Sequence, residues 1–179
     1  MDKIKLTTPV DVEAVKKLRA GDKVLITGTI LTGRDAAHKR LCDLIDRGES
    51  LPVDLKNQVI YFVGPSPAKP NHVIGSAGPT TSYRMDAYSP ILMERVGLKG
   101  MIGKGNRDSN VVDSMRKNGA VYFAATGGAA ALIAKSIIKS EILCYEDLGP
   151  EAIRKLTVVD FPAIVAIDSL GTNLYESKL

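Results

Sequence analysis

Tryptophan is absent from this 179-residue sequence, and the aromatic share is only 5%. Readers of single-stranded nucleic acid stack bases on aromatic platforms along a basic groove. No such platform, no dense basic stripe and no nucleic-acid motif is present, which excludes that class. The net charge of +4 then points to anionic partners of another kind. Long apolar runs are also missing. The longest mainly apolar stretch, residues 120 to 134, is broken by Gly127 and Gly128 and falls short of the ~20 residues that cross a bilayer. The first five residues, Met1-Asp2-Lys3-Ile4-Lys5, lack the apolar core of a signal peptide. The expectation is a cytoplasmic protein with no membrane segment. Cysteine is scarce: Cys42 and Cys144 are the only two. They read as small core residues without a disulfide. Two thiols cannot provide the three or four thiolates of an iron–sulfur cluster, and His38 and His72 complete no zinc pattern. The chain by itself is expected to bind no metal.

What is present fits one domain over residues 1–179, long enough to bury a core. Apolar residues make up 45% and the mean hydropathy is +0.02. Strand and helix patterns alternate. Strands are predicted at Lys3–Thr7, Asp22–Leu31, Gln58–Val63, Val73–Ile74, Leu98–Ile102, Ala120–Ala124, Glu141–Tyr145 and Leu156–Asp168. Helices are predicted from Pro9 to Leu18, from Arg34 to Asp46 with apolar positions 37, 41, 44 and 45, from Thr81 to Val96, from Asp108 to Lys117 and from Ala129 to Ile138, on period and capping grounds. The mixture predicts an α/β domain with a mixed sheet and flanking helices.

Three clusters carry the chemistry. They are Thr32-Gly33-Arg34-Asp35-Ala36-Ala37-His38-Lys39-Arg40, Gly78-Pro79-Thr80-Thr81-Ser82-Tyr83-Arg84-Met85-Asp86, and Gly103-Lys104-Gly105-Asn106. Each pairs glycine with a cation. Glycine lets backbone N–H groups come close to a ligand, arginine offers a fork that matches a carboxylate, and lysine adds a point charge. Together they point to a pocket for a small anion with more than one carboxylate. Nucleotide loops do not fit. A phosphate loop needs glycine where Leu98 stands and a hydroxyl residue where Gly105 stands, and Gly103-x-Gly105 leads to Asp108 rather than the third glycine of a dinucleotide fingerprint.

The same stretches resemble the β subunit of two-subunit class I fumarases and L-tartrate dehydratases, a module that is also the C-terminal domain of single-chain class I fumarases. The resemblance covers nearly the whole chain. It rests on Leu-Thr-Gly-Arg-Asp-Ala-Ala-His-Lys-Arg at 31–40, Gly-Pro-Thr-Thr-Ser-Tyr-Arg-Met-Asp at 78–86, Gly-Lys-Gly-Asn at 103–106, Thr-Gly-Gly-Ala-Ala-Ala at 126–131 and Val-Asp-Phe-Pro-Ala at 159–163. It implies a swivelling β/β/α fold and a reversible hydro-lyase reaction on a four-carbon dicarboxylate, such as malate to fumarate. It also implies a partner α subunit that binds a [4Fe-4S] cluster, and a homodimer or larger assembly built through the heteromer.

On that resemblance Arg34 and Arg84 clamp substrate carboxylates, Lys104 stabilises the charged intermediate or tunes the base, and Thr80 transfers the proton. Asp35 and Asp86 orient the arginines, His38 supports them from behind, and Thr126 and Gly127 line the pocket. Taken singly, Thr80 and Thr81 are ordinary cap hydroxyls, His38 is a hydrogen-bonded structural residue, and the run from Gly127 to Ala131 is close helix packing. Malate and tartrate both remain open as substrates. A non-catalytic dicarboxylate-binding module and a self-sufficient site centred on Lys104 are the alternatives.

Overall fold

The computed structural model describes residues 2–125 and 129–177. The elements run β1 (Ile4–Thr8), α1 (Val12–Lys17), β2 (Lys23–Thr32), α2 (Asp35–Asp46), β3 (Val59–Tyr61), a 3₁₀ turn (Ser82–Met85) and α3 (Ser89–Val96). They continue with β4 (Gly100–Gly103), α4 (Ser109–Asn118), β5 (Val121–Ala124), α5 (Ala130–Ser136), β6 (Ile137–Cys144), a second 3₁₀ segment (Glu146–Glu151) and β7 (Ile153–Ile167). The fold is mixed α/β, a sheet with flanking helices.

Strands β2, β3, β4 and β5 lie side by side and parallel. The 15-residue β7 runs antiparallel to both β5 and β2. It therefore closes the ring β2-β3-β4-β5-β7. β1 adds to the outside of β2 in parallel, and β6 pairs antiparallel with β7 at the other margin. The side-chain period of 2 sorts the strands into two cores. Val59, Tyr61, Val63, Ile102, Val121 and Phe123 belong to one cluster with Ile26, Val158 and Phe161, the filled interior of a small barrel. Their neighbours Ile60, Phe62, Met101 and Tyr122 join Ala37, Leu41, Leu92, Val111 and Met115 of α2, α3 and α4 in the second cluster.

Three expectations are corrected. The helix predicted from Thr81 to Val96 is two pieces, because Pro90 enters at the start of α3. Proline lacks an N–H and its ring clashes with the preceding turn, so it opens a helix but does not sit inside one. Val73–Ile74 forms no strand. Its neighbours Pro65, Pro67, Pro70 and Pro79 cannot donate to a ladder. The helix predicted to reach Ile138 stops at Ser136, since Ile137 pairs with Val158 and starts β6. Cys42 is buried, Cys144 is half-buried, and both are free thiols. Among the described residues no helix is long and apolar enough to cross a membrane.

Candidate active site

Parallel strands end together, so residues that follow them in sequence meet at one end of the barrel. Arg34 follows β2, Gly64 follows β3 and Lys104 follows β4. This is the end at which α/β sheets bind ligands. Thr126 and Gly127, which follow β5, lie outside the described residues.

The segment 80–86 is stitched across the ends of β3 and β4. Thr80 N donates to Phe62 O at 2.7 Å and Ser82 N donates to Lys104 O at 2.9 Å. Thr81 and Lys104 form an isolated parallel bridge. The glycine of Gly-Lys-Gly explains how this fit is possible. A Cβ on Gly103 would collide with Ser82 Oγ and stand 2.9 Å from Phe62 Cδ2. Ser82 Oγ and Tyr122 Oη are 2.8 Å apart, and the Tyr122 hydroxyl donates to Gly105 O at 2.8 Å. Gly105 takes φ +85°, where a side chain would be strained. The second and third clusters are thus one folded unit.

That unit is locked by a residue outside the three clusters. Arg107 is buried, with Nε donating to Asp86 Oδ1 at 2.6 Å and Nη2 donating to Ser89 Oγ at 2.7 Å. Its guanidinium lies 5.2 Å from the Phe62 ring centroid and 5.0 Å from that of Tyr122, a cation–π sandwich. Asp86 Oδ2 accepts from Asp108 N at 3.0 Å, and Asp108 in turn caps α4 through Val111 N. Asp86 therefore orients Arg107. Arg84, which sits on the exposed side of the 3₁₀ turn, forms no ion pair with it. Sequence reasoning missed Arg107 although it directly follows the Gly-Lys-Gly-Asn stretch.

The first cluster reaches this unit from β2. Gly33 N donates to Tyr61 O at 3.1 Å, and the Arg34 stem packs against the bare Cα of Gly64. Arg34 Nε stands 3.6 Å from Asp35 Oδ1 and 3.8 Å from Glu151 Oε1, too far for hydrogen bonds. All three atoms are buried and lack a hydrogen-bond partner, and they face one another at ion-pair distance. Glu151 had no signal in the sequence, since it comes from the 3₁₀ segment before β7 and no spacing relates it to Asp35. Behind Arg34, His38 is fully buried. Its Nδ1–H donates to Arg34 O at 2.8 Å, which leaves Nε2 bare and without a partner. The ring lies against Phe62 and Tyr88. Burial in this apolar wall pushes its pKa down from 6.5 to about 4, helped by the charge of Arg107, so the imidazole is neutral.

The arrangement leaves three cations at one end of the barrel. Among the described residues Arg84 and Lys104 enter no ion pair, and no hydrogen bond occupies the Arg34 guanidinium. Thr80 keeps its hydroxyl while its N–H is spent on the sheet. Fixed cations with unused donors suit a ligand carrying separated carboxylates. No group of three or more His, Cys, Asp or Glu side chains gathers among the described residues, and burial pushes the Cys42 thiol up to about 11.

The family model described as "Fumarase C-terminus" matches residues 1–178. An Escherichia coli protein named "Fumarate hydratase class I, anaerobic" is 42% identical over 155 residues, which cover 86% of this chain and 28% of that protein. A Leishmania major protein named "Fumarate hydratase 2" is 36% identical over 180 residues, or 99% of this chain and 32% of that one. The chain thus spans less than a third of the length of these two relatives. A Methanocaldococcus jannaschii protein, provisionally described as an L(+)-tartrate dehydratase subunit beta, is 40% identical over 167 residues, covering 90% of this chain and 86% of that protein.

Proposed function

We propose that this chain, which belongs to the fumarase C-terminus family, is the β module of a hydro-lyase that interconverts malate with fumarate and water. The observation that carries the reading is that the segments bearing Arg34, Thr80, Arg84 and Lys104 meet at one barrel end. We assign Arg34 and Arg84 to the two substrate carboxylates, Lys104 to the charge that develops, and Thr80 to proton transfer. Removing a proton from the carbon beside a carboxylate builds an aci-carboxylate, and fixed cations lower the barrier where that charge grows. The same cations favour the Thr80 alkoxide over the hydroxyl. Asp35 and Glu151 hold Arg34 from the stem side, and His38 fixes its carbonyl.

We assign the [4Fe-4S] cluster to an α subunit. The donors of this chain do not fit such a group, since the two thiols are few and Cys42 is held protonated. The catalytic unit is then a heteromer, and the β module moves as one swivelling domain over the partner's site. Free thiols accord with a cytoplasmic setting. The M. jannaschii relative, covered over 86% of its length, favours one second reading, a tartrate dehydratase β subunit. Both readings use one site and remove one hydrogen from the carbon next to the leaving hydroxyl; they differ in whether that carbon also bears a second hydrogen or a hydroxyl.

The test is anaerobic turnover followed by fumarate absorbance, with the chain alone and then co-expressed with a cluster-bearing α subunit. Turnover only by the pair, and its loss in Thr80→Ala, is the expected result. Turnover of L-tartrate alone selects the second reading. Turnover by the chain alone with a chelator present would overturn both.

A further inference from the structure

The margin of the sheet formed by β6 carries a pattern that the site does not use. We propose that β6 is a self-pairing edge, at which two copies of this chain join antiparallel about a two-fold axis through Ser140. β6 ends the strand order, with β7 on one side and no strand on the other among the described residues. An edge strand exposes unpaired N–H and C=O groups and is a template for another strand. Proteins usually blunt such edges with charge, and β6 does carry Lys139 and Glu141. Their order, however, is self-complementary.

The strand reads Ile137-Ile138-Lys139-Ser140-Glu141-Ile142-Leu143. In an antiparallel pair centred on Ser140, position 139 faces 141 of the second copy, and position 138 faces 142. Lysine then meets glutamate twice, and isoleucine meets isoleucine twice. Cross-strand pairs of opposite charge and of β-branched residues are the ones that stabilise antiparallel neighbours. The register of β6 on β7 is regular from Lys139 through Ile142, with irregularities only beyond those residues. The central residues Lys139, Ser140 and Glu141 thus lie in the straight part, while Ile138 stands in the irregularity between Ile137 and Lys139. Lys139 and Glu141 share a face, since Lys139 Nζ lies 2.8 Å from Glu141 Oε1 and Lys155 Nζ lies 3.4 Å from Glu141 Oε2. All these side chains stay solvent-accessible, so the charges can exchange partners across the axis.

The apolar positions agree. Ile138 is 53% exposed and Ile142 is 43% exposed, large values for isoleucines in a strand. Val159 of β7 and Leu132 of α5 are exposed as well, and Val159 follows the residue that pairs with Ile137. A two-fold contact is closed, because each copy uses the same edge and leaves none open for a third. In a heteromer the same edge joins two αβ units. The proposal rests on β6 alone and stands whether or not the catalytic reading does.

Sedimentation of the full chain tests it. The expected mass rises with concentration from 19.2 kDa toward twice that value. Glu141→Lys places lysine opposite lysine and should weaken dimerisation at least tenfold, as should Lys139→Glu alone. The double exchange Lys139→Glu with Glu141→Lys restores opposite charges across the axis and should restore the dimer. Ser140→Cys, in a Cys144→Ser background, should form a covalent dimer on mild oxidation. A chain that stays monomeric throughout, or a dimer unchanged by Glu141→Lys, overturns the proposal. A dimer lost in Glu141→Lys and not regained in the double exchange overturns the register.

Discussion

Replacing Asp86 with alanine should be among the most damaging single changes to the stability of this chain. Arg107 has no exposed side-chain surface and Asp86 only 10%. Removing one partner of a buried pair leaves the other charge desolvated, at a cost of about 3–5 kcal/mol. The Asp108 N–H at the head of α4 also loses its acceptor, which adds a smaller penalty. For a domain of this size about 1 kcal/mol moves the midpoint by roughly 2–4 °C, so the melting temperature should fall by ~6–20 °C. Thermal unfolding, with urea unfolding beside it, measures this at one fixed chain concentration, since any self-association shifts the midpoint. The contrast comes from removing both charges. Asp86→Leu with Arg107→Met leaves no orphaned ion, and such exchanges are often neutral or stabilising. The double variant should therefore recover most of the stability lost in the single one. A single variant that costs less than ~1 kcal/mol, or a double variant no better than the single, would refute the reasoning.

Acid should weaken the fold through His38. Its folded pKa, about 4, lies below the ordinary 6.5, so the unfolded chain takes up the proton first. Stability is then full above pH 6.5 and is lost as pH falls toward 4, by about 3 kcal/mol in all. Urea titrations across that range check this, and a His38→Gln variant should lose that part of the slope. Gly103→Ala forces a Cβ into Ser82 Oγ and against Phe62; calorimetry should find a loss of ~1–3 kcal/mol, with part regained in Gly103→Ala/Ser82→Gly. Arg84→Ala and Lys104→Ala remove exposed, unpaired cations, so the melting temperature should stay within the ~0.5 kcal/mol equivalent of a surface change. Turnover by the reconstituted heteromer should meanwhile drop by roughly 10²–10³, which kinetic assays at saturating malate would read.

Much of the fold was legible because periodicity survives folding. The β-branched run from Val24 to Ile30 became β2, and the 3.6 spacing over Arg34–Asp46 became α2. In α2 the buried face also takes His38 and Cys42, while Leu44 is only half-buried. What failed was competition between local and distant partners. Ile137 and Ile138 continue a helical pattern, but β7 offers them a ladder. The closure of the barrel by β7 was not legible either, because pairing with both β2 and β5 depends on strand curvature and not on local pattern. Nor was Arg107. A single arginine among polar residues looks solvated, and only the packing of Phe62, Tyr122 and Asp86 around it shows that it is buried.

The three sequence clusters were separable as motifs because each performs two tasks with adjacent residues. In each, a cation or hydroxyl that we assign to the ligand stands beside a residue that holds the backbone. Arg34 stands beside Gly33, which binds Tyr61; Thr80 and Arg84 flank Ser82, which locks onto Tyr122; Lys104 sits between Gly103 and Gly105. The supporting half cannot vary without moving its neighbour, which ties the glycines and Ser82 to the cations they flank. Arg84 and Lys104 enter no ion pair among the described residues, whereas Arg34 stands between Asp35 and Glu151. The charge of Arg84 and Lys104 is consequently not spent on a carboxylate of the described residues. Under the proposed function such a site keeps these cations for its anion and relies on another surface to exclude water. The barrel end offers cations and a hydroxyl, and in the proposed heteromer the partner's surface would cover them.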